Sequence, residues 1–103
     1  MSASAQPYRI AVLVSGSGSN LQALLDAQQA GDLGDAEIVL VVSDRADAYG
    51  LQRALKRRVA AAFIPLRHPR DPAARAAWER RLADVVAAFA PDLIVLAGFM
   101  RVL

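Results

Sequence analysis

Residues 15–20 read SGSGSN, set between the apolar run RIAVLV at 9–14 and LQALLDAQQA at 21–30. Two glycines, three serines and an asparagine are more than an ordinary turn needs. The run before them is short and rich in branched side chains, which reads as a buried strand. After them Leu21, Leu24, Leu25 and Ala27 fall at helical spacing up to Gly31. A strand, a glycine loop and a helix in that order aim backbone N–H groups and the positive helix end at an anion. Small residues matter there, because a Cβ would hold the backbone away from phosphate oxygens. Ser19 and Asn20 add side-chain donors and can cap the helix. The competing reading is a capped, glycine-rich turn that holds nothing.

The residues around the loop narrow the anion. A dinucleotide fingerprint starting at Gly16 needs glycine or alanine at position 21, where this chain has Leu21. Glu37 and Asp44 are poor fits for the acidic ribose partner expected about 20 residues on. A phosphate loop of the G-K-[ST] type needs a lysine that is absent here. The loop suits a phosphomonoester better than a dinucleotide or a nucleoside triphosphate.

Outward from the loop, strand and helix patterns alternate. Residues 36–44, AEIVLVVSD, form a second apolar strand, with Asp44 a turn residue at its end. Asp47 is placed to cap a helix running to about residue 58, whose basic end 56–58 suits the negative end of a helix dipole. AAFIPL, 61–66, is a short third strand. Asp71 followed by Pro72 is a favoured N-cap and first-position pair, and Trp78, Leu82, Val85, Val86 and Phe89 give the next helix one apolar face. LIVLAG, 93–98, is the fourth strand. Such alternation implies right-handed crossovers. The expected fold is α/β: a Rossmann-like three-layer sandwich, a parallel sheet of four strands with helices on both faces. LIVLAG is apolar up to its glycine, as in a central strand buried on both faces. The chain runs only five residues beyond it, so the fold is expected to continue past this sequence.

Composition sets limits. The 103 residues suffice for one domain. An apolar share of 55% exceeds the roughly 45–50% of ordinary domains and argues against disorder. Net charge is +2, and eleven of the twelve basic residues are arginines, scattered rather than striped, which suggests no nucleic-acid surface. Arg57 and Arg58 read as a solvated helix end. With no cysteine and one histidine, His68, thiol chemistry, disulfides and a histidine metal cluster are excluded. The N-terminus lacks a signal-peptide pattern and no run is long enough for a membrane helix, so a cytoplasmic location is the default.

Three stretches, VLVSGSGSNLQALLDA, SDRADAYGLQRA and APDLIVLAGFMR, occur in the order and spacing that resemble the N-terminal half of the phosphoribosylglycinamide formyltransferases of purine biosynthesis. Related 10-formyltetrahydrofolate enzymes share the fold but not this loop. The resemblance implies a truncated formyltransferase fold, with residues 1–8 a flexible N-terminus and 9–103 the phosphate-binding half of the domain. It implies transfer of a formyl group from 10-formyltetrahydrofolate, the co-substrate, to the amine of 5-phosphoribosylglycinamide, with no metal. The matching positions are Gly18, Ser19 and Asn20 for the substrate's 5′-phosphate, and Arg75, Met100, Arg101, Val102 and Leu103 for the folate.

Taken without the resemblance, Arg75 reads as a solvated i,i+4 partner of Glu79, and Met100 and Leu103 as apolar cover. The family's catalytic asparagine, histidine and aspartate, from an N-I-H-P-S-type strand and a later loop, match nothing in these residues, and His68 in its loop is no counterpart. No catalytic residue is therefore assigned, and the chain alone is expected to be inactive. Residues 93–103 are the expected surface for self-association or for a complementing C-terminal half. The alternatives are a non-catalytic phosphate- or nucleotide-binding module and one half of a split enzyme.

Overall fold

In a computed structural model of the chain, residues 8–15, 18–45 and 49–99 are described. They form β1 (Arg9–Val14), α1 (Ser19–Gln29), β2 (Glu37–Ser43), α2 (Tyr49–Lys56), β3 (Ala60–Phe63), α3 (Pro72–Ala88) and β4 (Leu93–Leu96). The four strands make one parallel sheet in the order β3-β2-β1-β4. This is the expected Rossmann-like α/β architecture.

β1 is apolar from Ile10 to Val14 because both its faces are covered. Ile10, Val12 and Val14 pack with Leu21 and Leu25 of α1 and Ala54 of α2. Ala11 and Leu13 pack on the opposite face with Trp78, Leu82 and Val86 of α3. Alternate side chains of one strand thus enter two cores, which a period of two dictates. β2 departs from that alternation: the register with β1 slips between Ile10 and Ala11, whose partners are Ile38 and Leu40. Val39, the extra residue, leans with Leu40 toward the α3 core, as a bulge permits.

α3 starts as its sequence suggests. The Asp71 carboxylate accepts from the Ala73 N–H at 3.0 Å and Pro72 occupies the first turn; such a cap contributes about 0.5–2 kcal/mol. Trp78 is buried and donates its indole N–H to the Ile64 carbonyl at 2.9 Å, so its polar edge is satisfied. The far end of α3 is closed from a distance. The Arg9 guanidinium donates to the Phe89 carbonyl from Nε at 2.9 Å and Nη2 at 2.6 Å, and the Arg9 N–H donates to Asp92 at 2.8 Å.

Element ends differ from the sequence expectations in instructive ways. α2 stops at Lys56, because Arg58 turns left-handed (φ 61) and the N–H groups of Arg58 and Val59 return to the carbonyls of Leu55 and Ala54. That is a Schellman ending without glycine. β3 spans 60–63 rather than 61–66: the Ile64 N–H makes a last bond to Ser43, and Pro65 has no N–H to offer. β4 ends at Leu96, two residues early, with Gly98 in a turn at φ 76. Among the described residues β4 pairs with β1 alone and lies at the sheet edge, with Leu93, Ile94 and Leu96 43%, 49% and 53% exposed.

Candidate functional site

From β1 the chain steps outward to β2 and β3, then crosses the other face through α3 to reach β4 on the far side of β1. Strand order therefore reverses at β1. In open parallel sheets the crevice outside the carboxyl ends of the strands at such a point is where ligands bind. The glycine loop leaves β1 at that point. Ser15 and Gly18 are buried, and Gly18 is the N-cap of α1 at φ 78 and ψ 23, its carbonyl accepting from the Gln22 N–H at 2.8 Å. No side chain among the described residues caps α1. Ser19 and Asn20, which the sequence allowed as caps, are instead exposed residues of the first turn, because Gly18 holds the cap position and has no side chain. Helix geometry directs the first-turn N–H groups out of this N-terminal end, where the helix dipole favours an anion.

Glycine at 18 is required twice over. Its φ lies in the left-handed region, and a Cβ there would come within 2.7 Å of the Gly50 Cα and 3.2 Å of the Arg53 Cδ. α1 and α2 approach backbone to backbone at this spot. Behind it runs a polar chain. Arg53 lies 4.8 Å from the centre of the Tyr49 ring and donates through Nη1 to Gln22 Oε1 at 2.9 Å. Gln22 in turn donates to Asp26 Oδ1 at 3.0 Å, and Arg57 donates to that same oxygen at 2.5 Å and to the Leu25 carbonyl at 3.1 Å. The Gln22 hydrogen bond, then that of Arg57, holds the Asp26 carboxyl below its usual range. Arg57 is therefore a tie between two helices, not a solvated end. Gly50 and Arg53 were not among the residues singled out from sequence, although a glycine in the first turn of a helix has poor propensity and was a visible signal.

Asp44 lies buried in the turn after β2, where the Ser43 hydroxyl accepts from the Arg45 N–H at 3.0 Å and donates to the Arg45 carbonyl at 3.1 Å; Asp47 lies outside the described residues. Arg75 sits in the first turn of α3, its N–H bonded to the Asp71 carbonyl and its Nε 3.5 Å from Glu79 Oε1. Met100, Arg101, Val102 and Leu103 lie outside the described residues. The residue before them, Phe99, stacks on Trp78 with ring centres 6.2 Å apart and planes 7° from parallel. Trp78 follows Arg75 by one helical turn, so the chain leaving β4 passes beside the start of α3. His68 is exposed in a hollow with Arg67, Pro69, Arg70 and Asp71. A second hollow of about 400 Å³, lined by Leu13, Leu82, Val86, Pro91 and Ile94, runs between α3 and β4. Among the described residues no group of His, Cys, Asp and Glu is placed to hold a metal, and no helix is long and apolar enough to cross a membrane.

Residues 8–103 match the family described as Formyl transferase. A phosphoribosylglycinamide formyltransferase of Saccharomyces cerevisiae is 46% identical over 107 residues, covering 92% of this chain and 50% of that protein. A trifunctional purine biosynthetic protein, adenosine-3, of Drosophila melanogaster is 45% identical over 96 residues, 92% of this chain and 7% of its own length. The solved structure of a phosphoribosylglycinamide formyltransferase of Coxiella burnetii superposes with a TM-score of 0.83 at 46% identity, over 95% of this chain and 44% of that one. The chain thus spans about half the length of the single-function relatives it matches. With the parallel sheet, the glycine loop at its switch point and a match over nearly every residue, this chain belongs to the formyl transferase family.

Proposed function

We propose that these residues are the ribonucleotide- and folate-binding half of a phosphoribosylglycinamide formyltransferase, a cytoplasmic enzyme of purine biosynthesis. The reaction carries a formyl group from 10-formyltetrahydrofolate to the amine of 5-phosphoribosylglycinamide. The observation that carries the reading is the N-terminus of α1: a buried glycine cap, no side-chain cap among the described residues, and a position at the sheet's switch point. The Gly18, Ser19 and Asn20 N–H groups bind the 5′-phosphate, where the helix dipole favours negative charge. Arg75 and residues 100–103 contribute to the folate side, Arg75 by exchanging its long contact with Glu79 for a carboxylate or carbonyl of the co-substrate.

In the transfer, the amine lone pair attacks the formyl carbon and the carbonyl electrons move to oxygen. The tetrahedral adduct then collapses, the C–N10 bond breaks, and the proton lost by the amine balances the one gained at N10. That oxyanion needs positioned donors, and one such donor is commonly worth about 10²–10³ in rate. These 103 residues contain no Asn-x-His segment to supply them. By itself the chain binds substrate and does not turn it over. The half-exposed β4 and the hollow beside it receive the complementing half of the enzyme or, when the chain is alone, a second copy of itself.

The test is a turnover assay on the purified 103-residue chain with both substrates, alongside calorimetric titration of each. The expected result is phosphate-dependent ribonucleotide binding without formyl transfer. Rates like those of a whole formyltransferase, or ribonucleotide binding indifferent to the phosphate, overturn the reading.

A further inference from the structure

α2 carries two residues that lie outside the loop motif yet touch its geometry. Gly50, in the first turn of α2, is buried, and a Cβ there would sit 2.9 Å from Val14 Cγ2 and 3.6 Å from the Gly18 Cα. The end of β1, the cap of α1 and the first turn of α2 therefore meet at one point with no room for a methyl group. One turn on, Arg53 packs its Cδ beside Gly18 and donates to Gln22 Oε1 at 2.9 Å. Gln22 is the residue whose N–H closes the first turn of α1 on the Gly18 carbonyl. The Tyr49 ring beneath the guanidinium holds Arg53 in a preset orientation.

We infer that Gly50 and Arg53 are positioning residues for the phosphate loop: α2 is the abutment that fixes the tilt of α1 and the direction of the Gly18, Ser19 and Asn20 N–H groups. The inference rests on the phosphate reading of that loop. Hydrogen bonds prefer donor angles above about 150° and weaken steeply below about 120°, so a tilt of α1 loses phosphate contacts while the two cores stay packed. Both residues act through α1.

The experiment titrates the 103-residue chain with ribose 5-phosphate and records the melting temperature of every variant. Gly50→Ala is expected to weaken binding about tenfold or more. Adding Val14→Ala to it recovers most of the loss, because the colliding Cγ2 is gone. Arg53→Met also weakens binding, and Arg53→Lys restores part of it through an ammonium that still reaches Gln22. Val86→Ala, in the core on the opposite sheet face, lowers the melting temperature and leaves Kd unchanged. Wild-type Kd in both Gly50→Ala and Arg53→Met overturns the inference, as does a loss of affinity that tracks melting temperature in all variants including Val86→Ala. Should Gly50→Ala fail to fold, the Arg53 pair decides alone. A folded wild-type chain that takes up no ribose 5-phosphate overturns the phosphate reading itself, before any variant is made.

Discussion

Replacing Gly18 with alanine tests the loop at its tightest point. The residue sits at φ 78, where a side chain costs about 1–2 kcal/mol. The new Cβ would stand 2.7 Å from the Gly50 Cα, a backbone atom that no rotamer change can remove. Ordinary carbon contact needs roughly 3.5–4.0 Å, so α2 has to retreat by about 1 Å, or α1 has to tilt. Overpacking of that kind costs about 1–3 kcal/mol. Together the two effects amount to about 2–5 kcal/mol, a large part of the 5–15 kcal/mol by which domains are stable. Urea unfolding of the two chains, with an unchanged slope, reads the difference as a shift in midpoint. Gly18→Ala within about 0.5 kcal/mol of wild type, the range of an uneventful surface change, would refute the claim that the two helices meet without space.

Arg58→Gly should stabilise the chain by about 0.5–1 kcal/mol, since it removes a left-handed arginine from the end of α2 and keeps both capping bonds; a melting curve checks this. Asp26 titrates low in the folded chain because Gln22 and Arg57 bond its carboxylate. Its contribution is therefore present above the unfolded carboxylate pKa and is lost as pH falls through the lower folded value. Asp26→Asn should flatten that part of the acid limb in a stability-against-pH series, and an unchanged limb contradicts it. Replacing the exposed Ile94 and Leu96 of β4 by lysine should shift the 103-residue chain from associated species toward monomer in sedimentation velocity. A wild-type chain that is monomeric at high concentration counts against the association.

Much of the fold was legible in the sequence because each signal there was local. Asp71-Pro72 opened α3, the spacing of Trp78, Leu82 and Val86 gave its buried face, and four apolar runs gave four strands. What escaped were events decided across the chain. α2 ends at an arginine in a conformation that glycine usually announces. The Val39 bulge depends on how two strands meet, and the closure of α3 on Arg9 joins residues 80 positions apart. The glycine loop was visible as composition, with Ser19 and Asn20 read as able to cap α1. Only the backbone geometry gives that place to Gly18, with Gly50 pressed against it. Arg57 looked like solvated charge because its partners, Leu25 and Asp26, lie on another helix.

The central claim is that the α1 N-terminus receives the phosphate of a ribosyl substrate. Amide-resolved NMR of the 103-residue chain titrated with ribose 5-phosphate, and with ribose as its neutral counterpart, tests it most directly. The account predicts saturable shifts concentrated at the Gly18, Ser19, Asn20 and Leu21 amides with the phosphate ester and none with ribose. Shifts centred on the exposed arginines Arg67 and Arg70, or equal responses to both ligands, would contradict it.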